Sequence, residues 1–551
     1  MTRTLVIQLG RLGDVIQTTP LLRELLHDSP SGSIDVLVFD SLREIVEGIG
    51  LRKIYSFSER ALPLGLRQLD KSIEENRKQF GAVPREAHEA VQNLALPAYD
   101  SILNCSYSPL GAFVAQNTRS KSITGPVINA AGEILFHHPA QIYLCARASF
   151  RDQNWFNLVD LWRASGHPHK KNAPGFVARP YVPIASSLPF EIPKGRIVAL
   201  NPGSSDAVRR WPPGEFAALA EGLVSHGLVP ALIGAPSDRE TCAEVQARSA
   251  VPIANFCGKT SVPQLAYFLT RADLLISNDT GAIHIAAAIG CRSLSLFGST
   301  AYFAETAPWA EGHVILQGPL GSALVVLHPK LVLASALYCL GLLDEEDLRM
   351  ETARRNASAW ETFFLDLQFD PLGGISYRPL HVDHFSSDQI FARELRHLFA
   401  QVFSGAEKFH GADDFSLHAG KVSSRRPVPP PKQSDLEIAR VVAVLGSMTD
   451  AAARCHILCA RQTTESAAEI SSLSASLVAA MEELKTHAEN HSRFKPVIHF
   501  LDWTCRMMDP MAPAPTFHAH EQAYHLAASM LTECEFQAQS KPESQSILAP
   551  F

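Results

Sequence analysis

Two stretches of this chain alternate short apolar runs with longer amphipathic ones, and that alternation limits the fold more than any other feature. In the first, "TLVIQLG" reads as a strand, "TTPLLRELLHD" as a helix and "IDVLVFD" as a strand. "LREIVEGIG" follows as a helix closed by Gly50, and "YDSILNCS" (99–106) resumes the sheet. Residues 59–95 are rich in charge, Gln and Asn and read as helical or as a surface excursion. In the second stretch the strands are "RIVALNPG", "LVPALIGAP", "DLLISND" and "RSLSLFGS". The helices between them are "PPGEFAALAEGLVSHG", "SVPQLAYFLTRA" and "TGAIHIAAAIG". Continuous rather than alternating hydrophobicity in the strands predicts parallel sheets covered on both faces. The proline-rich "ARPYVPIASSLPFEIPKGR" (178–196) separates the two patterns. The expected fold class is α/β, two Rossmann-like domains with a cleft between them.

Beyond about residue 340 the character changes, and a C-terminal helical extension is expected. "DEEDLRMETARRNASAWETFFLDL" and "SSDQIFARELRHLFAQVF" read as helical, and "SSRRPVPPPKQS" (423–434) as an extended, solvated linker. After the linker, "DLEIARVVAVLGSMTDAAARCHILCARQ" and "TESAAEISSLSASLVAAMEELKTHAENH" read as two long amphipathic helices forming a hairpin. The expected units are thus 1–185, 186–345, a helical 346–422, the linker 423–434 and a helical 435–551.

A chain of 551 residues with this composition has room for several cores. Its net charge of −7 argues against a general nucleic-acid binder, and no nucleic-acid partner is expected. Ten scattered cysteines without a CxxC pair read as reduced thiols of a cytoplasmic protein. Cys455 and Cys459 flank His456 at helical spacing, which fits a buried helix face better than a metal clip. Arg11 and Asp14 interrupt the first apolar run, so no secretory leader is expected. The apolar segment 323–343 is broken by His-Pro-Lys and reads as core or a membrane-skimming surface rather than a span.

Four corners carry the chemistry. In "LLISNDTGAIHIAAAIGCRSLSLFGST" (274–300) a strand delivers Asn278, Asp279 and Thr280 to the sheet edge, Gly281 lets the backbone turn, and a helix begins. The unpaired N–H groups of such a helix start suit a phosphate or diphosphate, and His284 points the same way. A plain capped helix with a packed histidine fits the same residues. In "NPGSSDAVRRWPPGEF" (201–216) a Gly-Ser-Ser loop with Ser204 and Ser205 precedes Arg209 and Arg210, which suits phosphate oxygens or a solvated arginine pair. "LIGAPSDRE" (232–240) supplies Asp238 and Glu240, placed for a ribose or base, or simply for a charged first helical turn. The fourth corner is "QLGRLGDVIQ", where Gly10, Arg11 and Gly13 lead to Asp14. It has neither the Gly-x-Gly-x-x-Gly of a dinucleotide fold nor a P-loop. There is also no convincing Asp-x-Asp before residue 340, so no metal is expected, and dipoles and arginines must neutralise any diphosphate.

These motifs resemble glycosyltransferase family 9, the ADP-heptose:lipopolysaccharide heptosyltransferase family. "RLGDVIQTTPLLREL", "FNLVDLWRASG" (156–166), "NPGSSDAVRRWP" and "NDTGAIHIAAAIGCRSLSLFGST" follow its order over roughly residues 1–340. The resemblance implies a GT-B fold, two facing Rossmann-like domains with the donor bound in the second. It places the catalytic acid on Asp14, with Gly10, Arg11 and Gly13 as the acceptor-side loop. It places donor contacts on Ser204, Ser205 and Arg209, on Asp279, Thr280, Gly281 and His284, and on Asp238 or Glu240. It implies an inverting, metal-independent transfer of heptose from ADP-heptose to a glycan or lipid-linked acceptor. The site of work would be the cytoplasm or the inner face of the inner membrane. The tail of about 200 residues departs from the family pattern. It leaves open a protein-modifying transferase, or a nucleotide-sugar-binding platform whose helices recruit a protein partner or a second copy.

Overall fold

The computed structural model describes residues 3–28, 33–58, 85–128, 134–166 except 137, 178–355 except 322 and 325–326, 363–369, 374–379, most of 440–454, and 464–506, with isolated positions at 396, 399 and 520–531. The linker 423–434, Cys455, His456 and Cys459 lie outside them.

The first half is a five-stranded parallel sheet in the order β3-β2-β1-β4-β5. Its strands are β1 (Thr4–Ile7), β2 (Ile34–Phe39), β3 (Lys53–Phe57), β4 (Tyr99–Asn104) and β5 (Ser120–Thr124). Helix α1 (Leu12–Asp28) starts six residues before the run that reads as helical, and Pro20 lies inside it. A proline there lacks the N–H that would bond the carbonyl of Ile16. The Thr19 hydroxyl supplies that bond instead, at 2.6 Å, so the helix runs on. Further along come α2 (Arg43–Val46), α3 (Arg85–Asn93), α4 (Pro109–Asn117), the small ribbon β6 (Val127–Ile128) and β7 (Ile134–Leu135), α5 (Pro139–Ala146) and α6 (Leu158–Gly166).

The second half is an eight-stranded sheet ordered β10-β9-β8-β11-β12-β13-β14-β15. Its parallel strands are β8 (Ile197–Asn201), β9 (Val229–Leu232), β10 (Ala254–Asn255), β11 (Leu274–Asn278), β12 (Ser293–Ser299) and β13 (Val314–Leu320). The helices are α7 (Pro213–Ser225), α8 (Arg239–Arg248), α9 (Val262–Leu269), α10 (Gly281–Ile289), α11 (Phe303–Thr306), α12 (Pro329–Cys339) and α13 (Glu345–Arg355). In both sheets the strand order reverses beside the first strand, between β1 and β4 and between β8 and β11. Such switch points open a crevice at the carboxyl edge of a parallel sheet, and all four corners named above sit at or beside them. Two facing halves of this kind are the GT-B arrangement.

The expectation of a helical 346–422 holds for 346–355 and needs correction at 363–379; apart from positions 396 and 399, residues 380–422 lie outside the described residues. Helix α13 ends at Arg355, and β14 (Phe363–Phe369) and β15 (Ile375–Pro379) extend the second sheet antiparallel to β13. The reason is legible afterwards: "LDLQF" alternates apolar and polar residues with period two, which is a strand pattern. Leu367 is buried on one face, and Asp366 on the other pairs with Arg378 of β15 at 3.2 Å.

The two halves are joined by the segment 151–160. Arg151 donates to both carboxylate oxygens of Glu305 at 2.7 and 2.5 Å, and Arg147 lies 3.5 Å from the same group. Tyr302 Oη donates to the Asp152 carbonyl at 2.9 Å, Asn157 Nδ2 to the Ala307 carbonyl at 3.0 Å, and Trp309 Nε1 to Asp160 Oδ1 at 2.8 Å. The expected hairpin is described only in part, since residues 455–463 between its helices lie outside the described residues. Residues 440–449 are helical and run beside α14 (Thr464–Asn490), with ion pairs Arg440–Glu483 and Arg454–Glu469 spaced as antiparallel helices require. A further helix, α15 (Lys495–Arg506), packs on α5 of the first half. There Phe399 meets Tyr143 edge to face at 4.8 Å and Phe500 at 5.2 Å. The described apolar residues of the tail thus share one continuous core with the rest of the chain.

Candidate active site

A cleft of about 1280 Å³ lies between the halves, walled by the β1–α1 turn on one side and by the corners after β8, β9 and β11 on the other. Asp14 is the third residue of α1, half-buried, and its Oδ2 accepts from the Arg11 N–H at 2.8 Å. Gly10 permits this fold-back: a Cβ there would lie 2.7 Å from Asp14 Oδ2. Arg11 is exposed at the rim.

The starts of α1 and α10 meet across the cleft. A Cβ on Gly13 would fall 2.9 Å from His284 Cδ2, and one on Gly281 would fall 2.9 Å from Leu12 Cδ2. Two helix N-termini, each the positive end of a dipole, thus converge on one space. His284 is buried, and its burial, with His313 nearby, pushes its pKa down to about 3, so it is neutral at ordinary pH. Its Nδ1 has no hydrogen-bond partner. Thr280 caps α10, its Oγ1 accepting from the Ala282 N–H at 3.4 Å and from Asn201 Nδ2 at 2.9 Å.

Asp279 is the perturbed acid of the site. Burial pushes its pKa up to about 6, against the pull of Arg209 and the Thr306 hydroxyl. Arg209 Nη1 lies 3.3 Å from Asp279 Oδ2, Thr306 Oγ1 donates to Oδ1 at 3.2 Å, and Arg209 Nε donates to Thr300 Oγ1 at 2.8 Å. The arginine pair divides its work. Arg209 lines the cleft, whereas Arg210 donates twice to the Ser204 carbonyl, at 2.9 and 2.7 Å, and shapes the loop. Ser204 is buried and Ser205 exposed, and both line the cleft.

The third corner separates the two acids that the sequence leaves as alternatives. Asp238 lines the cleft and accepts from the Ala235 N–H at 2.8 Å, with its carboxylate pressed on Gly203, where a Cβ would lie 2.2 Å from Asp238 Cγ. Glu240 is exposed in the first turn of α8 and does not line the cleft. The expected donor contact at Glu240 is therefore dropped: two residues further along the helix, its side chain leaves the sheet edge.

Sequence reasoning placed Asn278 at the sheet edge without a role and missed Asn201; together they hold the corners. Asn278 accepts from the Trp211 N–H at 3.1 Å and donates to the carbonyls of Pro202 and Gly203 at 2.9 and 3.2 Å, stitching the β8 and β11 corners. Asn201 reaches Ser277 and Thr280 in the same way. An asparagine ending each of two neighbouring strands was the available signal. Glu305 and Arg147 were also missed, because their partners lie about 150 residues away.

Residues 169–324 match the family model described as glycosyltransferase family 9 (heptosyltransferase), a stretch that includes all three corners of the second half. The chain is similar to lipooligosaccharide heptosyltransferase 2 of Campylobacter jejuni, 32% identical over 120 residues, or 21% of this chain and 37% of the relative. It thus spans little more than a third of that relative's length. It is also similar to lipopolysaccharide heptosyltransferase 3 of Escherichia coli, 21% identical over 323 residues, or 55% of this chain and 85% of the relative. Among solved structures, a glycosyl transferase family 9 protein from Veillonella parvula is 18% identical with a TM-score of 0.48, covering 62% of this chain and 97% of that one. ADP-heptose lps heptosyltransferase II of E. coli is 18% identical with a TM-score of 0.42, covering 62% and 98%. By the matched domain and by the order of its motifs, residues 169–324 of this chain are similar to glycosyltransferase family 9.

Proposed function

We propose that this protein is an inverting, metal-independent glycosyltransferase that moves heptose from ADP-heptose to a hydroxyl of a lipopolysaccharide-core-like glycan. The observation that carries the reading is the opposition of Asp14, on the first half, to the helix start of α10 and Arg209, on the second, within one cleft. Asp14 takes the acceptor proton as the oxygen attacks the anomeric carbon from the side away from the diphosphate. The dipole of α10, the Ser204 and Ser205 loop and Arg209 stabilise the leaving ADP, so the charge is met without a dedicated cation. Among the described residues no group of three or more His, Cys, Asp or Glu is placed to hold a metal. Asp238 is the acid nearest the nucleoside in this reading. The acceptor half is 1–185 and the donor half runs from 186 through β15. No helix among the described residues is long and apolar enough to cross a membrane, and we assign the enzyme to the cytoplasm, visiting the inner face of the inner membrane to meet its acceptor.

Removing Arg209 deletes a charge-assisted contact to the diphosphate, worth about 1.5–3 kcal/mol. Arg209→Ala is expected to weaken ADP binding by about 10- to 100-fold, read by titration calorimetry. An unaltered ADP affinity would remove Arg209 from the phosphate site.

The raised pKa of Asp279 sets a pH dependence. Because burial favours its neutral form, a bound anion favours it further, so donor binding takes up a proton. ADP-heptose affinity should therefore rise as pH falls from 7.5 through about 6, and Asp279→Asn should flatten the profile. His284, already neutral down to about 3, adds nothing in that window. A profile of opposite slope would show that ionised Asp279 itself binds the donor.

A further inference from the structure

Five cleft-lining side chains each carry a buried polar atom without a hydrogen-bond partner: Asn201 Oδ1, His284 Nδ1, Arg147 Nε, Gln17 Nε2 and Trp162 Nε1. The first two belong to the donor wall already described, and the third faces Glu305 Oε1 at 3.5 Å. The other two lie on the acceptor wall, and nothing so far gives them work. Gln17 is 2% exposed and stands three residues after Asp14 in α1, so it emerges on the same helical face as the base. Trp162 is also 2% exposed and comes from α6, which packs along α1.

Both atoms are N–H donors, and Trp162 Nε1 cannot act as an acceptor under any assignment. A buried donor left unpaired costs more than a made hydrogen bond returns, so such groups are retained where something completes them. What completes this pair must bring oxygen acceptors beside the hydroxyl that Asp14 deprotonates. Arg147, on the same wall, has its charge met by Glu305 at 3.5 Å and donates to the Leu144 carbonyl, which leaves neutral donors to do the recognising. A polyol fits that pattern: a sugar carries hydroxyl and ring oxygens next to its nucleophilic hydroxyl, whereas a serine side chain brings one oxygen only.

We propose that Gln17 Nε2 and Trp162 Nε1 hydrogen-bond two oxygens of the acceptor saccharide and orient its nucleophilic hydroxyl toward Asp14. The pair selects for a sugar acceptor and is separate from donor binding. This inference rests on the transfer reading given above.

The test uses the full-length protein with saturating ADP-heptose and, as acceptor, lipopolysaccharide extracted from a heptosyltransferase-deficient bacterium, reading ADP release. Gln17→Leu and Trp162→Phe each remove an N–H while keeping an apolar side chain of similar shape. Loss of one neutral hydrogen bond predicts that the acceptor KM rises about 3- to 10-fold in each variant, more than kcat falls. The Kd for ADP should not change. A purely structural role would instead lower the melting temperature without moving the acceptor KM. If Trp162→Phe fails to fold, Gln17→Leu decides alone. Unaltered acceptor KM in a variant set whose parent turns over would overturn the saccharide contacts and leave the transfer reading standing. A parent protein that releases no ADP overturns the transfer reading and this inference with it.

Discussion

Asp14→Asn is expected to lower transfer by about 100- to 10,000-fold, the range of a lost general base, with ADP affinity intact. The substitution separates chemistry from structure because of what Asp14 does in the fold. Its Oδ2 accepts from the Arg11 N–H at 2.8 Å, closing the turn into α1. An asparagine keeps an acceptor oxygen in that place but cannot take a proton. Asp14→Ala loses both, and removal of a helix-start cap costs about 0.5–2 kcal/mol. The alanine variant should therefore be as inactive as the asparagine one and less stable, and thermal unfolding of the two will tell the roles apart. Near-normal turnover in Asp14→Asn would reduce this acid to a capping residue.

The second large effect is expected at Glu305. This carboxylate is 4% exposed, sits on the second half, and is held by Arg151 and Arg147 from the first half. Burial pushes its pKa up, but the two arginines outweigh burial, and the net shift is downward. A pair of this kind is poor evidence of net stabilisation when made, yet breaking it strands charge in the interior. Glu305→Ala should cost about 3–5 kcal/mol and weaken donor binding as well, since Thr306 next to it holds Asp279. The pH sense follows from the lowered pKa. The contribution is present above the ordinary glutamate value and is lost as pH falls through the depressed one, so wild type and variant should converge in stability in acid. Double substitution of Glu305 and Arg151 should recover part of the loss by removing the stranded charge.

Much of the fold was legible because both halves use parallel strands, which are apolar throughout and separated by amphipathic helices. The same physics made the site legible. Strand-to-helix corners at a switch point must carry small, polar and acidic residues, and "NPGSS", "NDTG" and "RLGD" do. Three things escaped for physical reasons. The first helix reads as starting at Thr18 rather than Leu12, because Gly10, Gly13 and Pro20 look like breakers, but the Thr19 hydroxyl replaces the bond that Pro20 cannot make. The strand "FFLDLQF" follows a charged helical run closely enough to be absorbed into it, and only pairing with β13 reveals it. The ring of Glu305, Arg151 and Arg147 depends on contacts about 150 residues apart, which no local pattern encodes. Nor does an amphipathic tail state which surface it covers. Tyr143 and Phe500 meet Phe399 only once the chain has folded back on α5.

The central claim is that this cleft activates an ADP-sugar with Asp14 as base. Incubating the purified protein with lipopolysaccharide from a heptosyltransferase-deficient bacterium and a panel of ADP-, UDP- and GDP-sugars, and reading the nucleoside diphosphate released, tests it directly. Acceptor-dependent ADP release from ADP-heptose is expected, and it disappears in Asp14→Asn. Release from UDP- or GDP-sugars alone, or equal release by the Asp14→Asn protein, would contradict it.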